Sequence, residues 1–520
     1  MTDTLSGKTP ALGKVFLKYL FSSIGSAVVV SVYSIVDCIM VGQYEGPRGT
    51  AALAVITPVW TIIISLGLLF GIGGSVIFAK LRGEGKLKDS NEIFTLTVIS
   101  AAVVTAVAWA AIAFADAPLL RLSGADDDIL PLARKYLKWL KFVVPLFSFG
   151  QVFAAFLRND GAPALAMIAT VSGGLFNIVG DYLLVFTADM GIEGAGLSTG
   201  LGQVLAFCIM CSHFFGKRNT LRLVRPTNVA KNIRRIAATG FPSFIVDIAV
   251  GILAIIFNNQ IMKYLGSTAL SIYGVIVNIN LVAQYVAYGV GQAIQPLVSR
   301  SYGARETGPI AKTFGYGLLS AGVVAVLFCA VCEAIPLPIM KAFMTVTDEI
   351  AAAAPTAVRI YSLSYLFLPL NIFATYYLQS IMRAKASFAI SLLRGFILSA
   401  AFAYLFPVIF GAQSLWYATF ASEAVTLILS AVLVIRYSAK LKRNLSDPSP
   451  EMVATGNETI PSDSALSENM SETVFEPSER AEKTKAEPSL PTAADQPPSL
   501  RNTDGKDASE RHNDRTQNND

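Results

Sequence analysis

The chain is divided by long apolar runs, such as VISAAVVTAVAWAAIAFA at 98–115, which short polar loops separate. A helix needs ~20 mostly apolar residues to cross ~30 Å of hydrocarbon. Runs of this kind are centred near residues 28, 65, 103, 148, 175, 204, 251, 284, 322, 368, 398 and 425. They lack the alternation that a membrane β-strand requires. We therefore predict an all-α polytopic membrane protein with twelve transmembrane helices.

The composition excludes several classes of protein. Charged residues make up 15% of the chain, against about a quarter in soluble proteins. The basic residues stand in short loops between apolar runs, a distribution that argues against nucleic-acid binding. Cys208/Cys211 and Cys329/Cys332 have the spacing of metal-binding pairs, but both lie inside apolar runs. With two histidines and no Walker motif, we expect no enzymatic activity, no cofactor and no transition-metal site.

The distribution of charge predicts the orientation. Lys and Arg accumulate in cytoplasmic loops of membrane proteins. The loops after segments two, six, ten and twelve are basic, whereas the loop GADDDIL on the opposite side carries three Asp and no basic residue. Arg134, Lys135, Lys138 and Lys141 are an exception, which we interpret as interfacial residues at the start of segment four. We expect a multi-pass protein of the cell (inner or plasma) membrane with both termini in the cytoplasm.

The two halves of the chain are similar. GIGGSVIFAKLRGEG (71–85) resembles GVGQAIQPLVSRSYGA (289–304), and FLRNDGAPALAMIA (156–169) resembles IMRAKASFAISLLR (381–394). Segments 1–6 and 7–12 therefore form two six-helix lobes, related by a pseudo-two-fold axis along the membrane normal. We predict an N-terminal lobe at 1–215, a basic cytoplasmic linker at 216–238 and a C-terminal lobe at 239–444. The acidic, Ser- and Pro-rich residues 445–520 should form a disordered cytoplasmic tail that transport does not require.

Carboxylates within the apolar runs are candidates for chemistry. An ionisable group in the bilayer core is costly, so its presence suggests a function. Asp37 lies in the first segment, and Asp181 lies in the fifth with Asn177 one helical turn before it. Two carboxylates close together in a low-dielectric lobe favour a bound proton or a cation between them. A static hydrogen-bond network is the alternative interpretation.

Polar residues in the second half are weaker candidates. Asp247 and Glu423 could line a cavity between the lobes and attract cationic substrates, or each could make one local hydrogen bond. Asn280 and Gln284 make segment eight unusually polar, which suits either a cavity lining or hydrogen bonds between helices. Arg394 could pair with an acidic residue or approach the inner interface.

Several motifs resemble one known family. They are VDCIMVG (36–42), LFGIGGS (69–75) with GEG (83–85), LRNDGAPALAMIA (157–169), NIVGD (177–181), GIEGAGLST (191–199) and YGVGQAIQPLVSRSYGAR (288–305). The chain looks like a multidrug and toxic compound extrusion (MATE) transporter of the multidrug/oligosaccharide-lipid/polysaccharide exporter superfamily, collinear over about residues 10–440. The resemblance implies two six-helix lobes in a V shape. It places the coupling-ion site on Asp37, Asn177, Asp181 and Thr199, and it implies no metal ion other than Na⁺, at Asp37 and Asp181. The second-lobe carboxylates of sodium-coupled branches have no clear match, which favours coupling through the first lobe.

The predicted function is secondary active export of an organic cation or amphipathic drug in exchange for H⁺ or Na⁺. We expect a monomer whose other partners are membrane lipids, with no nucleic acid. One alternative is a lipid-linked saccharide flippase of the same superfamily, which would need a strongly basic cavity. The other is an uncoupled, channel-like membrane protein, whose flux would ignore ion gradients.

Overall fold

The computed structural model describes residues 12–217, 219–344 and 346–446, which are almost entirely helical. The first half contains α1 (Leu12–Glu45), α2 (Pro47–Gly83), α3 (Leu87–Phe114), the short α4 (Asp116–Leu122), α5 (Leu130–Asn159), α6 (Pro163–Asp181) and α7 (Gly191–Cys211). A π-helical segment, Tyr182–Thr187, continues α6, and a 3₁₀ turn, Ser212–Phe215, continues α7. These helices make six spans in the first half.

The second half contains α8 (Val229–Gly303), α9 (Thr307–Ala334), the short α10 (Pro336–Phe343), α11 (Asp348–Ser362), α12 (Leu368–Ser380), α13 (Ala384–Leu392), α14 (Leu398–Phe410) and α15 (Ala418–Ser446). A 3₁₀ turn joins α11 to α12, and the π-helical segment Leu393–Ile397 joins α13 to α14. Each of these pairs therefore forms one span.

Eleven helical runs in the described residues are long and apolar enough to cross a membrane. One of them contains two spans, because α8 is broken at Gly266, where φ is +84°. Glycine adopts this backbone conformation without the steric cost that a side chain would add. The two parts of α8, residues 229–265 and 267–303, are each longer than the ~20 residues of a span. The predicted all-α fold is confirmed, and twelve spans are consistent with it.

The internal repeat is visible in the irregular elements. The third span of each half is followed by a short helix, α4 in the first half and α10 in the second. The fifth span of each half contains a π-helical segment, Tyr182–Thr187 or Leu393–Ile397. These matching departures from regular helix agree with the predicted pair of similar halves.

Residues 216–238, predicted as the linker, divide into a non-helical part and a helical part. The described part of 216–228 is not helical, whereas α8 begins at Val229. The backbone before Val229 is bound to the first half: the N–H of Thr227 donates to Glu92 Oε2 at 2.9 Å, and the N–H of Val224 donates to Thr95 Oγ1 at 3.0 Å. The predicted tail at 445–520 lies outside the described residues, except for 445–446 at the end of α15.

Apolar side chains both join the two halves and cover much of the outer surface. One buried cluster joins the halves, with Phe16, Ile72 and Val76 of the first half packed among residues of α8, α9 and α12. Large apolar side chains such as Phe142 and Val408 are exposed on the outer surface. An exposed apolar belt of this kind suits lipid, where close packing between helices replaces the hydrophobic effect as the source of stability.

The basic residues that break the predicted charge rule are partly paired. Arg134 and Lys141 of α5 both bind the buried carboxylate of Asp116 on α4, at 3.0 and 2.6 Å. Lys138 binds Glu193 on α7 at 2.6 Å. Three of these four basic residues are therefore in ion pairs, with two carboxylates between them.

Candidate functional site

The first half contains a polar cluster built by α1, α5, α6 and α7. Asn177 and Asp181 lie one turn apart on α6, and Asn177 Nδ2 donates to Asp181 Oδ1 at 3.2 Å. The same amide nitrogen lies 3.1 Å from Oγ1 of Thr199 on α7. The structure therefore brings together three of the four residues that the family resemblance implied.

Asp37 reaches the cluster from α1 through a residue that the sequence analysis did not identify. The hydroxyl of Tyr136 on α5 donates to Asp37 Oδ2 at 3.2 Å. The carboxylates of Asp37 and Asp181 are both close enough for their charges to act on that hydroxyl. Tyr136 stands among the basic residues that the sequence analysis interpreted as interfacial, so its sequence context did not mark it as part of a buried site.

Ser198 is a second residue of the cluster that the sequence analysis did not single out. Its hydroxyl donates to the carbonyl oxygen of Asn177 at 2.7 Å, which ties α7 to α6. Asn177 Nδ2 also lies 3.3 Å from Ser198 Oγ. Ser198 directly precedes Thr199 in the motif GIEGAGLST, and that adjacency was the available signal.

Small residues allow α6 and α7 to approach each other. A Cβ placed on Gly173 would lie 2.6 Å from the carbonyl oxygen of Gly202, and one on Gly202 would lie 2.6 Å from that of Gly173. A Cβ on Gly180 would lie 2.5 Å from Ser198 Oγ. Close backbone approach of this kind is typical of membrane helices. It brings the short side chains of Asn177, Ser198 and Thr199 within hydrogen-bonding distance.

Three oxygens of the cluster are buried and accept no hydrogen bond: Asp37 Oδ1, Asn177 Oδ1 and Asp181 Oδ2. Buried polar atoms without a partner are costly. Carboxylate, amide and hydroxyl oxygens are the ligands that hard cations prefer. This set of oxygens is therefore chemically suited to a proton on a carboxylate or to an alkali cation. In the described residues, no group of three His, Cys, Asp or Glu side chains is placed to hold another metal.

Glu423 is enclosed within the second half. Its Oε1 accepts from Arg394 Nε at 2.8 Å, and its Oε2 accepts from Asn371 Nδ2 at 2.7 Å. The amide oxygen of Asn371 in turn accepts from Ser430 at 2.8 Å. This second polar cluster is an ion pair with its hydrogen bonds satisfied, and both charged side chains are more than nine-tenths buried.

A small cavity, about 20 Å³ in volume, lies between Leu68 of the first half and residues of the second half. Its lining residues are Leu68, Ser243, Tyr288, Ile372, Thr375, Tyr376, Ser391 and Arg394. Arg394, rather than its partner Glu423, reaches this cavity. Gln284 is buried and donates to the Tyr288 hydroxyl at 2.6 Å. It therefore contacts a lining residue but does not itself line the cavity. The predicted cavity roles of Glu423 and Gln284 stay predictions.

The remaining second-half candidates are Asn280 and Asp247. Asn280 lies on α8, and its buried Oδ1 accepts no hydrogen bond. The backbone of Asp247 belongs to α8, but its side chain lies outside the described residues. Of the residues predicted from the sequence, the structure gathers the first-half set, whereas Glu423 and Gln284 of the second half make hydrogen bonds to different partners.

Comparisons with known proteins agree with this architecture. The sequence model of the MatE family matches residues 23–183 and 242–405. The multidrug export protein MepA of Staphylococcus saprophyticus is 25% identical over 283 residues, which is 54% of this chain and 62% of that protein. MepA of Staphylococcus aureus strain MSSA476 is 22% identical over 445 residues, which is 85% of this chain and 97% of that protein.

Solved structures share the fold. A multidrug resistance MATE family transporter of the MOP superfamily, in an outward-facing conformation, has a TM-score of 0.78 at 21% identity, over 84% of this chain and 98% of that one. A MOP superfamily transporter from Pyrococcus furiosus has a TM-score of 0.77 at 20% identity, over 84% and 97%. Since the family model matches both halves and more than half of the chain, this protein belongs to the MatE family of membrane transporters.

Proposed function

We propose that this protein is a secondary active multidrug exporter that exchanges an organic cation or amphipathic compound for H⁺ or Na⁺. The observation that carries the proposal is the set of three buried, unpartnered oxygens on Asp37, Asn177 and Asp181. A proton binds to a carboxylate oxygen, and an alkali cation binds to carboxylate and amide oxygens, so the set offers ligands for either ion. An exporter driven by an ion gradient needs such a site. The relatives whose names describe multidrug export support the same class of substrate.

Helix α1 provides a physical route from ion binding to transport. Asp37 lies in the outer part of α1, within the cluster of the first half. Phe16, in the inner part of the same helix, is 3% exposed and packs in the cluster that joins the two halves. Neutralising Asp37 changes its attraction to the donors around it, so α1 gains a different preferred position. An ion can shift the equilibrium between the two positions only by its different affinity for each of them.

In this mechanism, the outward-facing protein takes up the cation at Asp37 and Asp181 and releases the drug to the outside. The protein then returns to the inward-facing state, releases the ion and binds the next compound. The tyrosines that border the cavity, Tyr288 and Tyr376, provide aromatic faces suited to organic cations. We place the protein in the cell membrane with both termini in the cytoplasm, because Lys and Arg accumulate in cytoplasmic loops of membrane proteins.

The second half argues against the flippase alternative. A lipid pyrophosphate needs unpaired positive charge in the cavity. Arg394 is the basic residue among the described lining residues, and Glu423 already binds it at 2.8 Å.

The decisive experiment measures efflux of a cationic dye from proteoliposomes under separately imposed pH and sodium gradients. We expect efflux under one gradient and not in its absence. Flux that ignores both gradients would favour the uncoupled alternative. Asp127→Asn is a matched control for carboxylate variants, because the Asp127 side chain is 87% exposed.

A further inference from the structure

Arg158, in the last turn of α5, carries a buried positive charge without an acidic partner. The residue is 7% exposed. Its guanidinium forms no ion pair and no hydrogen bond with residues 12–217, 219–344 or 346–446. A buried charge without a partner is costly. An anion that binds beside the guanidinium would remove this cost.

The other buried arginine of the described residues is compensated. Arg394 binds Glu423 at 2.8 Å, and both side chains are buried. Asp116, a buried acid, likewise binds Lys141 at 2.6 Å. Arg158 therefore differs from the buried charges that form ion pairs within the protein.

The internal repeat provides a direct comparison for Arg158. The similar segments FLRNDGAPALAMIA and IMRAKASFAISLLR align it with Arg383 of the second half. The guanidinium of Arg383 lies over the ring of Tyr437, 5.2 Å from its centroid, and Arg383 is only half-buried. A cation over an aromatic face is stabilised by that ring. The same position is thus compensated in the second half and uncompensated in the first.

Arg158 reaches the interface between the halves. The hydroxyl of Tyr376 on α12 is close enough to interact electrostatically with its guanidinium. Tyr376 packs on α8, since a Cβ on Gly291 would lie 2.4 Å from Cδ2 of its ring. Gln295 lies one turn after Gly291 on the same face of α8, and its buried Nε2 donates to no acceptor. An unpaired cation and an unpaired amide donor, one from each half, therefore lie in the region around Tyr376.

The acid nearest to Arg158 in the sequence is already bound elsewhere. Asp160 lies in the turn after α5, and its Oδ2 is 2.7 Å from Nε2 of His213. The same oxygen accepts the backbone N–H of Thr220 at 3.0 Å. This end of α5 is the end that we expect in the cytoplasm. Phosphate groups occur there both in solution and in the anionic lipids of the inner leaflet.

We propose that Arg158 is the main ligand of an oxyanion site between the cytoplasmic ends of the two halves, and that this site binds a phosphate group. The phosphate comes from an anionic lipid headgroup or from free phosphate. A planar guanidinium can donate two parallel hydrogen bonds to phosphate oxygens, and Gln295 offers a donor from the second half. Arg158 does not line the cavity that contains Arg394, so the bound phosphate is separate from that cavity and is not the exported compound.

The test measures thermal unfolding of the full chain, purified in a neutral detergent and depleted of lipid. Inorganic phosphate and dihexanoyl phosphatidylglycerol are titrated separately, and sodium chloride at equal ionic strength controls for screening. The variants are Arg158→Gln, Arg158→Lys and Gln295→Leu. Arg383→Gln is the matched control, because it removes the same charge at the corresponding position of the repeat.

We expect one or both phosphate compounds to raise the unfolding temperature of the wild-type protein, because a ligand that binds the folded state stabilises it. A rise with the lipid alone identifies a headgroup site, and a rise with inorganic phosphate identifies a site open to the free anion. Arg158→Gln should lose the rise, whereas Arg383→Gln should keep it. Arg158→Lys keeps the charge but not the planar fork, so the concentration for half the rise should increase roughly tenfold. Gln295→Leu should increase it as well.

Two outcomes would overturn the site. One is a wild-type response to both phosphate compounds that is no larger than the response to chloride, and the other is a full response in Arg158→Gln. If the Arg158 variants do not fold, calorimetric titration of the wild-type protein decides. Saturable binding of one phosphate compound per chain supports the site, and heats that do not saturate count against it. None of these measurements depends on export, so they test the site independently of the proposed function.

Discussion

The hydroxyl of Tyr136 donates to Oδ2 of Asp37 at 3.2 Å. This hydrogen bond joins α5 to α1 and holds one oxygen of the carboxylate, while Oδ1 is buried without a donor. The tyrosine thereby orients Asp37 and leaves Oδ1 as the oxygen at which we propose that the coupling ion binds. Asp37 therefore supplies the carboxylate, and Tyr136 positions it.

Asp37→Asn should abolish gradient-driven efflux. Asparagine keeps the size and much of the hydrogen bonding of aspartate but cannot gain or lose the charge, so the protein cannot cycle. Dye efflux from proteoliposomes under a defined gradient should fall to the level of protein-free vesicles, with expression near wild type and drug binding retained. Asp181→Asn should be impaired less completely, because a pair that shares one ion titrates as a unit. Wild-type efflux by Asp37→Asn would refute the mechanism.

Tyr136→Phe should change ion dependence while preserving the fold. A hydrogen bond to a charged group contributes about 1.5–3 kcal/mol, so the apparent affinity for the coupling ion should change by roughly ten- to a hundredfold. The maximal rate at saturating ion should stay close to wild type. Efflux measured over a series of pH and sodium values checks this expectation. Tyr273→Phe is a suitable control, because Tyr273 is a buried tyrosine in the apolar core of the second half. An ion dependence identical to wild type would show that Tyr136 does not position Asp37.

Glu423→Gln should destabilise the second half strongly. Removing one partner of a buried ion pair leaves the Arg394 charge uncompensated, at a cost of about 3–5 kcal/mol. The double variant Arg394→Met/Glu423→Leu should be much closer to wild type in stability, since it removes both charges. Thermal unfolding in detergent compares the two. Equal stability of Glu423→Gln and wild type would contradict a structural role for the pair.

Asp116 should contribute a stability that disappears in acid. Burial acts to raise the pKa of Asp116, but the hydrogen bonds of Lys141 and Arg134 outweigh it and hold that pKa below its ordinary value. A lowered pKa stabilises the folded state above the unfolded value of about 4, and this contribution is lost as the pH falls through the folded value. Asp116→Asn should therefore cost about 1.5–3 kcal/mol at pH 7. The difference from wild type should shrink below about pH 4. Thermal unfolding across this pH range tests the sign, and a constant difference would contradict it.

The orientation can be read by thiol labelling. In a chain whose five native cysteines have been replaced, Asp127→Cys should react with an impermeant reagent added to intact cells. Lys88→Cys should react only after permeabilisation, because its loop is expected in the cytoplasm. Both positions are exposed, so a difference in labelling reports sidedness rather than burial. The reverse pattern would refute the predicted orientation.

Much of the fold is predictable because it depends on local sequence. Apolar runs of spanning length located the helices, and the break at Gly266 falls between two of the predicted centres. The one-turn spacing of Asn177 and Asp181 placed both side chains on one face of α6, and their hydrogen bond at 3.2 Å agrees with that inference. The role of this pair in ion coupling stays a prediction.

The sequence alone determined the helical class, the number of spans, the pair of similar halves and the carboxylates worth attention, because periodicity and hydropathy act over neighbouring residues. Tertiary structure decided which side chains meet across helices: Tyr136 with Asp37, Arg394 with Glu423 and Gly83 with the backbone of Arg300. The register and rotation of packed helices set these contacts. Helices that are apolar nearly all round carry little periodic signal for their rotation, so only the packed structure could reveal which of their polar residues and glycines face each other.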